Sequence, residues 1–251
     1  MSAVSVNVKT ARARLGVILP SVNTVVEPWF GCAVPQGVTV HASRMFLDAN
    51  LTREALVRMD REEGMLGLKQ LMSCKPAAVA YCCTASSIVQ GLEYDGRLNH
   101  ELQHAAGVPA FTATGAIIEA LKALGAKRIA VCSPYTQAID DAEHEFFTAA
   151  GFEIAGSAHL GIADSFRLAD PTAEEIYALW QKSWQASGNA GAVDASLITC
   201  LNMNSQDVVS RIEHETGKPV VTSTQATLWK LLRAAGVNDA VLGYGSLLTE
   251  F

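Results

Sequence analysis

The chain has 251 residues, 49% of them hydrophobic and 18% charged, with a formal net charge of −6. That composition describes a globular protein with a sizeable core, one large domain or two small ones, and excludes a disordered chain. No apolar run reaches the ~18 residues of a membrane span, and no basic stripe offers a surface to nucleic acid.

The N-terminal stretch carries Lys9, Arg12 and Arg14 without a continuous apolar run, so it is no secretory signal. Its first thirteen residues read as a frayed leader, and the protein as cytoplasmic. Residues 15–19 form a branched apolar run stopped by Pro20-Ser21, a buried strand, and 38–42 is a second strand. A helix is expected over 52–72, with Thr52 as N-cap and Ala55, Leu56, Met59, Met65, Leu66 and Leu68 as its apolar positions. A strand follows at 77–82, then a helix from beyond Cys83 past Leu102, a short strand at 110–112, and a helix at 114–124 closed by Gly125.

The second half repeats this order. Strands are expected at 128–132, 153–159, 197–200 and 220–222. Helices are expected at 138–150, 172–186, 205–216 and 225–235. Two pairs of segments are close copies: VAYCCTASS (79–87) with LITCLNMNS (197–205), and GVPAFTAT (107–114) with GKPVVTST (217–224). Pro20 lies 114 positions before Pro134, Cys83 117 before Cys200, and Pro109 110 before Pro219. Such near-constant offsets indicate a duplicated domain rather than a solenoid. Strands alternating with helices give an α/β architecture of mainly parallel sheets. The expectation is two pseudo-symmetric doubly wound lobes, 14–125 and 126–251, with 226–251 crossing back to the first lobe. Strand C-termini would then face a shared cleft. An apolar helix over 226–235 would also suit a homodimer or larger assembly.

Six cysteines without C-x-x-C spacing, in a chain with no signal, point to free thiols rather than a disulfide framework or a zinc site. Cys83 ends a strand and precedes a helix, where the helix dipole and unpaired N–H groups would lower its pKa. Cys200 occupies the copied position, so the same expectation applies to it. Cys82 points to the opposite face and reads as core. Hydroxyl and amide residues crowd the same loops, Ser21, Asn23, Thr84, Tyr135 and Asn202 among them, and could form a nest for carboxylate oxygens. No glycine-rich phosphate loop is present, so no nucleotide cofactor is expected, and six scattered histidines with none near a cysteine at ligand spacing give no reason to expect a metal.

LGVILPSVNT (15–24) with Glu27-Pro28, Cys83-Thr84, Pro134-Tyr135-Thr136, Cys200, GKPVV (217–221) running into Ala226-Thr227-Leu228-Trp229, and Gly243-Tyr244-Gly245 together resemble the maleate cis–trans isomerases. These belong to the aspartate/glutamate racemase superfamily, which also holds arylmalonate decarboxylase. The resemblance implies a cofactor-independent enzyme acting on a small dicarboxylate in the cleft. It makes Cys83 the nucleophile, Cys200 the second catalytic cysteine, and Asn23 and Tyr135 the residues that hold substrate. Isomerases usually carry an asparagine where this chain has Asp164-Ser165, and Ser165 would offer a carboxylate a shorter reach. Arylmalonate decarboxylase keeps only the second cysteine. The leading expectation is therefore isomerisation of maleate or a related cis-enedioate. Two alternatives stand beside it: a two-cysteine racemase of aspartate or glutamate type, and a protein that only binds a dicarboxylate.

Overall fold

The computed structural model describes residues 11–188 and 193–251, and its apolar runs assemble into two four-stranded parallel sheets. The first contains β1 (Ala13–Pro20), β2 (Val38–Met45), β3 (Ala78–Tyr81) and β4 (Ala110–Thr112), in the order β2-β1-β3-β4. The second contains β5 (Arg128–Ser133), β6 (Glu153–His159), β7 (Ala195–Ile198) and β8 (Val220–Thr222), in the order β6-β5-β7-β8. Identical topology in the two halves is the duplication made visible. β1, β3, β5 and β7 are buried almost throughout, as central strands of a parallel sheet covered on both faces must be.

The stretch 52–72 is not one helix. Thr52 caps α2 (Arg53–Met59) by accepting from the Ala55 N–H at 3.2 Å. A π-helical turn, Asp60–Gly64, then precedes α3 (Met65–Leu71). The helix after Cys83 is likewise broken into α4 (Thr84–Gln90) and α5 (Leu92–Ala106). Gly91 between them has φ of 90°, a conformation that glycine alone adopts without strain. Helix α1 (Val26–Ala33), which the sequence pattern did not disclose, follows the first strand.

The copied Gly-x-Pro-x-x-Thr blocks do the same work twice. Thr112 caps α6 (Ala113–Ala123) by accepting from Gly115 N–H at 3.1 Å, and Thr222 caps α10 (Ser223–Ala234) by accepting from Gln225 N–H at 3.0 Å. The other helices are α7 (Gln137–Ala149), α8 (Ala173–Ala186), α9 (Gln206–Thr216) and the short C-terminal α11 (Ser246–Glu250). Among the described residues, no helix is long and apolar enough to cross a membrane.

Two expectations need correction. The apolar face of α10 is not left open for a second copy. Leu228, Leu231 and Leu232 are fully buried in one cluster with residues of β1 and β3, and α10 packs along α6. That face is consumed within the chain. Residues 1–10 of the expected leader lie outside the described residues, but Arg12 is tied down. Its guanidinium makes a two-pronged pair with Asp239 at 3.0 and 2.7 Å, and its N–H donates to Gly37 O at 2.7 Å.

The two halves are also clasped at the strand ends. Leu51 N–H donates to Ala163 O at 2.9 Å and Ser165 N–H to Ala49 O at 2.7 Å, around an antiparallel bridge between Asn50 and Asp164.

Candidate active site

β3 ends at Tyr81, and two residues later Cys83 stands as the extended N-cap of α4 (φ −134°, ψ 99°). Its thiol is thereby placed at the C-terminal edge of the first sheet, against the opening turn of a helix. Cys200 reaches the matching edge of the second sheet, two residues beyond β7. The equivalence stops there. Residues 201–205 separate Cys200 from α9, so no helix begins at this thiol. Cys200 instead has φ of 84°, a left-handed conformation that a side chain disfavours by roughly 1–3 kcal/mol. The bend turns the N–H groups of Asn202 and Met203 toward its sulfur. Strain held at a cleft residue points to function.

Both cysteines line one cavity of about 30 Å³ between the halves. Asn23, Thr84 and Ala85 complete the wall on the first side, and Tyr135, Leu201 and Asn202 on the second. Cys82 also contributes to this wall, while it packs in the core cluster around β1 and α1.

The lowered thiol pKa values expected at these positions are not what the cavity produces. Burial pushes Cys83 up to about 12, with the Asp60 charge adding to the shift and the Ser86 side chain and N–H opposing it. Burial likewise pushes Cys200 up to about 11, against hydrogen bonds from Asn202 N–H and the Tyr135 hydroxyl. Desolvation therefore outweighs the helix-terminus effect that the sequence suggested for Cys83. For Cys200 that effect is absent. A thiol held in this state needs a proton acceptor before it can act as a nucleophile.

The hydroxyl and amide residues divide into two groups. Tyr135 and Thr84 share a hydrogen bond of 2.9 Å across the interface, with the Tyr135 hydroxyl also beside Cys200. Asn23 spends its Oδ1 on the N–H groups of Val25 and Val26, at 3.1 and 3.0 Å, which fixes the start of α1. Its Nδ2 makes no hydrogen bond among the described residues and is left for a ligand. Asn202 joins the halves: its Oδ1 accepts from Thr24 N–H at 2.9 Å, and its Nδ2 donates to Val22 O at 3.3 Å.

Ser21 and Ser165 are not brought to the cavity wall. The Ser21 hydroxyl accepts from Leu47 N–H at 3.1 Å, and the Ser165 hydroxyl donates to Asp48 O at 2.7 Å. Both serve the 47–51 segment, and short side chains engaged with backbone have no reach left for a carboxylate.

Sequence reasoning missed the apolar part of the wall, Leu47, Leu51, Leu56 and Leu168. It also missed two buried carboxyl groups. Asp60, in the π-helical turn, lies behind Cys83. Glu143 of α7 lies behind Cys200, and neither of its oxygens has a hydrogen-bond partner among the described residues. Burial pushes Glu143 well up, eased only in part by the nearby Thr199 hydroxyl and reinforced by the Asp140 charge.

A carboxyl neutral in the fold but ionised when unfolded binds more protons in the native state. Stability therefore falls as pH rises past the ordinary value of 4.5. Glu143→Gln should remove this slope. Its Tm should match that of the wild type near pH 4 and exceed it near pH 8, by about 2–4 °C for each kcal/mol recovered. Thermal unfolding followed across that range checks the sign.

Two parallel-sheet lobes that each bring a cysteine to one cavity define the two-thiol enzymes of the aspartate/glutamate racemase superfamily. A family model described as arylmalonate decarboxylase matches residues 30–248. The maleate isomerase of Pseudomonas putida is 30% identical over 249 residues, covering 94% of this chain and 97% of that protein. The fold is similar to a cysteine-to-serine mutant of the Nocardia farcinica maleate cis–trans isomerase with a covalently bound succinylcysteine intermediate (TM-score 0.86, 25% identity, 95% and 99% of the two chains). A cysteine-to-alanine mutant of the maleate isomerase of Pseudomonas putida S16, with maleate, is equally similar (TM-score 0.86, 27% identity, 94% and 97%). The chain belongs to the maleate isomerase family of the racemase superfamily.

Proposed function

We propose that this enzyme converts maleate, or a closely related cis-enedioate, to its trans isomer without a cofactor, with Cys83 as nucleophile and Cys200 as its acid–base partner. The observation that carries the reading is the placement of both thiols, one from each half, on the wall of a single cavity. The covalent succinylcysteine of the Nocardia relative supports the same chemistry.

Rotation about a double bond requires its temporary loss. Cys83 sulfur forms a bond to one alkene carbon, and the alkene electron pair moves to the neighbouring carbon, conjugated with its carboxylate. Cys200 then delivers its thiol proton to that carbon. The resulting single bond rotates. Cys200 retrieves the proton, the double bond re-forms, and Cys83 leaves as thiolate. The free Asn23 Nδ2 and the Tyr135 and Thr84 hydroxyls supply neutral donors for charge that develops on the carboxylates.

The test is incubation with maleate, with fumarate followed by absorbance and NMR. A parallel incubation of L-aspartate and L-glutamate in D₂O is examined for deuterium at the α-carbon. Fumarate formation is expected. Deuterium incorporation without fumarate would replace this reading with a racemase, and tight dicarboxylate binding with neither reaction would leave a binding protein.

A further inference from the structure

Cys83 begins protonated, and no base among the residues that touch the cavity accounts for its activation. The wall contributes amides, hydroxyls and apolar groups, and Cys200 is needed as an acid. The structure supplies a carboxylate one layer behind. Asp60 is buried in the π-helical turn between α2 and α3, a type of helix irregularity often found at functional sites. Its Oδ1 accepts from the Tyr81 hydroxyl. Its Oδ2 accepts from the Tyr94 hydroxyl at 2.8 Å and from Gln90 Nε2 at 2.9 Å. All three donors are neutral. No lysine, arginine or histidine pairs with Asp60 among the described residues, although buried carboxylates are ordinarily matched by a cation.

The same carboxylate docks on the face of α4 that leads to Cys83. Gln90 and Ser86 are one turn apart on that face, and Gln90 Nε2 also donates to Ser86 O at 3.2 Å. The Ser86 hydroxyl is fully buried on this face, one turn after Cys83, near enough to the Asp60 carboxyl and to the Cys83 thiol to favour the charged form of each. Its hydrogen bond to Cys83 O, at 3.3 Å, is long and readily exchanged.

We propose that Asp60, acting through the Ser86 hydroxyl, is the proton acceptor that activates the Cys83 thiol; the inference rests on the isomerase reading above. As the carbon–sulfur bond forms, the Cys83 S–H proton passes to Ser86 Oγ while the Ser86 proton passes to an Asp60 oxygen. When Cys83 is expelled, the two transfers reverse, so no proton is gained or lost over a cycle. Burial raises the pKa of Asp60, which brings it closer to the task of accepting this proton, and the same burial keeps Tyr81 and Tyr94 protonated as donors. The titratable groups facing Asp60 are Tyr81 from β3, Tyr94 from α5 and Cys83 at the head of α4. Arg61 and Glu62, on its own turn, are exposed to solvent.

A general base of this kind contributes about 10²–10⁴-fold in rate. Ser86→Ala and Asp60→Asn should therefore each lower kcat with maleate at least about 100-fold at neutral pH, with Tm showing that the variants are folded. Wild-type kcat/KM should reach a plateau at neutral pH. In both variants it should instead rise about tenfold per pH unit, because hydroxide must now remove the thiol proton. Asp60→Asn removes a negative charge near Cys83, so a role that is only electrostatic predicts faster turnover, the opposite sign, and a role that is only structural leaves the pH profile with its neutral plateau.

A second arm does not depend on the natural substrate: addition of Cys83 to acrylamide at neutral pH, located by peptide mass spectrometry, should be at least about tenfold slower in Ser86→Ala. Wild-type turnover with maleate but equal rates in Ser86→Ala by both measures would overturn the relay and leave the isomerase reading standing. Absence of wild-type turnover would overturn that reading, and the acrylamide arm would still decide the relay. Should Asp60→Asn fail to fold, Ser86→Ala settles the matter.

Discussion

Cys200→Ser is expected to arrest the enzyme as a covalent adduct on Cys83, whereas Cys83→Ala should show neither adduct nor turnover. In the proposed reaction the two thiols have different tasks, and the substitutions separate them. With Cys200→Ser, the addition step retains its nucleophile. A serine hydroxyl can still pass its proton to the carbanionic carbon and be reprotonated by water. The return step fails, because an un-ionised hydroxyl is a poor base for a carbon-bound proton and Cys83 cannot leave until that proton is gone. The adduct should accumulate; a cysteine-to-serine mutant of the Nocardia relative holds a covalently bound succinylcysteine intermediate. With Cys83→Ala no carbon–sulfur bond forms and the double bond never opens. Turnover should fall by about 10⁴-fold or more in both, as for partners that act as a unit.

Intact mass spectrometry after incubation with maleate should show Cys200→Ser heavier by one maleic acid, and peptide mapping should place it on Cys83. A label on Cys200 in the Cys83→Ala variant would exchange the two assignments. An unmodified Cys200→Ser protein that still makes fumarate would remove Cys200 from the chemistry. The strained backbone at Cys200 gives the roles a structural basis: its φ of 84° aims Asn202 and Met203 N–H groups at the sulfur, a setting suited to a thiolate that must form and wait.

The duplication was legible because each copied block is contiguous. Strand, cysteine, hydroxyl residues and capping threonine follow one another within a few positions, and a parallel sheet places all such strand ends on one edge. Cys83, Cys200, Thr84, Tyr135, Asn23 and Asn202 share a site for that reason. What the sequence concealed was assembled across the chain. Leu47, Leu51, Leu56 and Leu168 read as ordinary core residues, and nothing local says that they face a second lobe. Asp60 and Glu143 fall inside the stretches expected as helices, 52–72 and 138–150, and acidic residues on helices ordinarily face solvent. A signal was present: Glu143 lies on the apolar stripe Ile139, Phe146, Phe147, and Asp60 lies four residues after Leu56, so both fall on faces that should be buried. A lone acidic residue on such a face deserves a search for its partner. The lowered thiol pKa failed for another reason, since a sequence reveals a helix start but not the desolvation that overrides it.

A disulfide across the clasp, made by Asn50→Cys with Asp164→Cys, should abolish turnover when oxidised and restore it on reduction. The cavity of about 30 Å³ is tight for a four-carbon dicarboxylate, and both thiols on its wall are buried. Substrate admission therefore requires its walls to part. The floor is formed by sheet edges bound into two cores, which open only at large cost. The roof is formed by Leu47, Leu51 and Leu168, carried by the 47–51 and 160s segments, which are joined by two backbone hydrogen bonds and by the Ser165 hydroxyl, while Asn202 Nδ2 holds Ser165 O from the second half. In that clasp the bonds from Leu51 and Ser165 flank the Asn50–Asp164 pair, making it a non-hydrogen-bonded antiparallel position with Cα atoms about 4.5 Å apart. Such a spacing falls within the range a disulfide spans. Both positions are exposed and oxidisable, whereas Cys83 and Cys200 are buried. Oxidised protein should lose turnover and resist alkylation of Cys83 by iodoacetamide, and a thiol reductant should return both. Full activity in the cross-linked enzyme would mean that maleate reaches Cys83 by another route, with the leucine roof as fixed as the sheets beneath it.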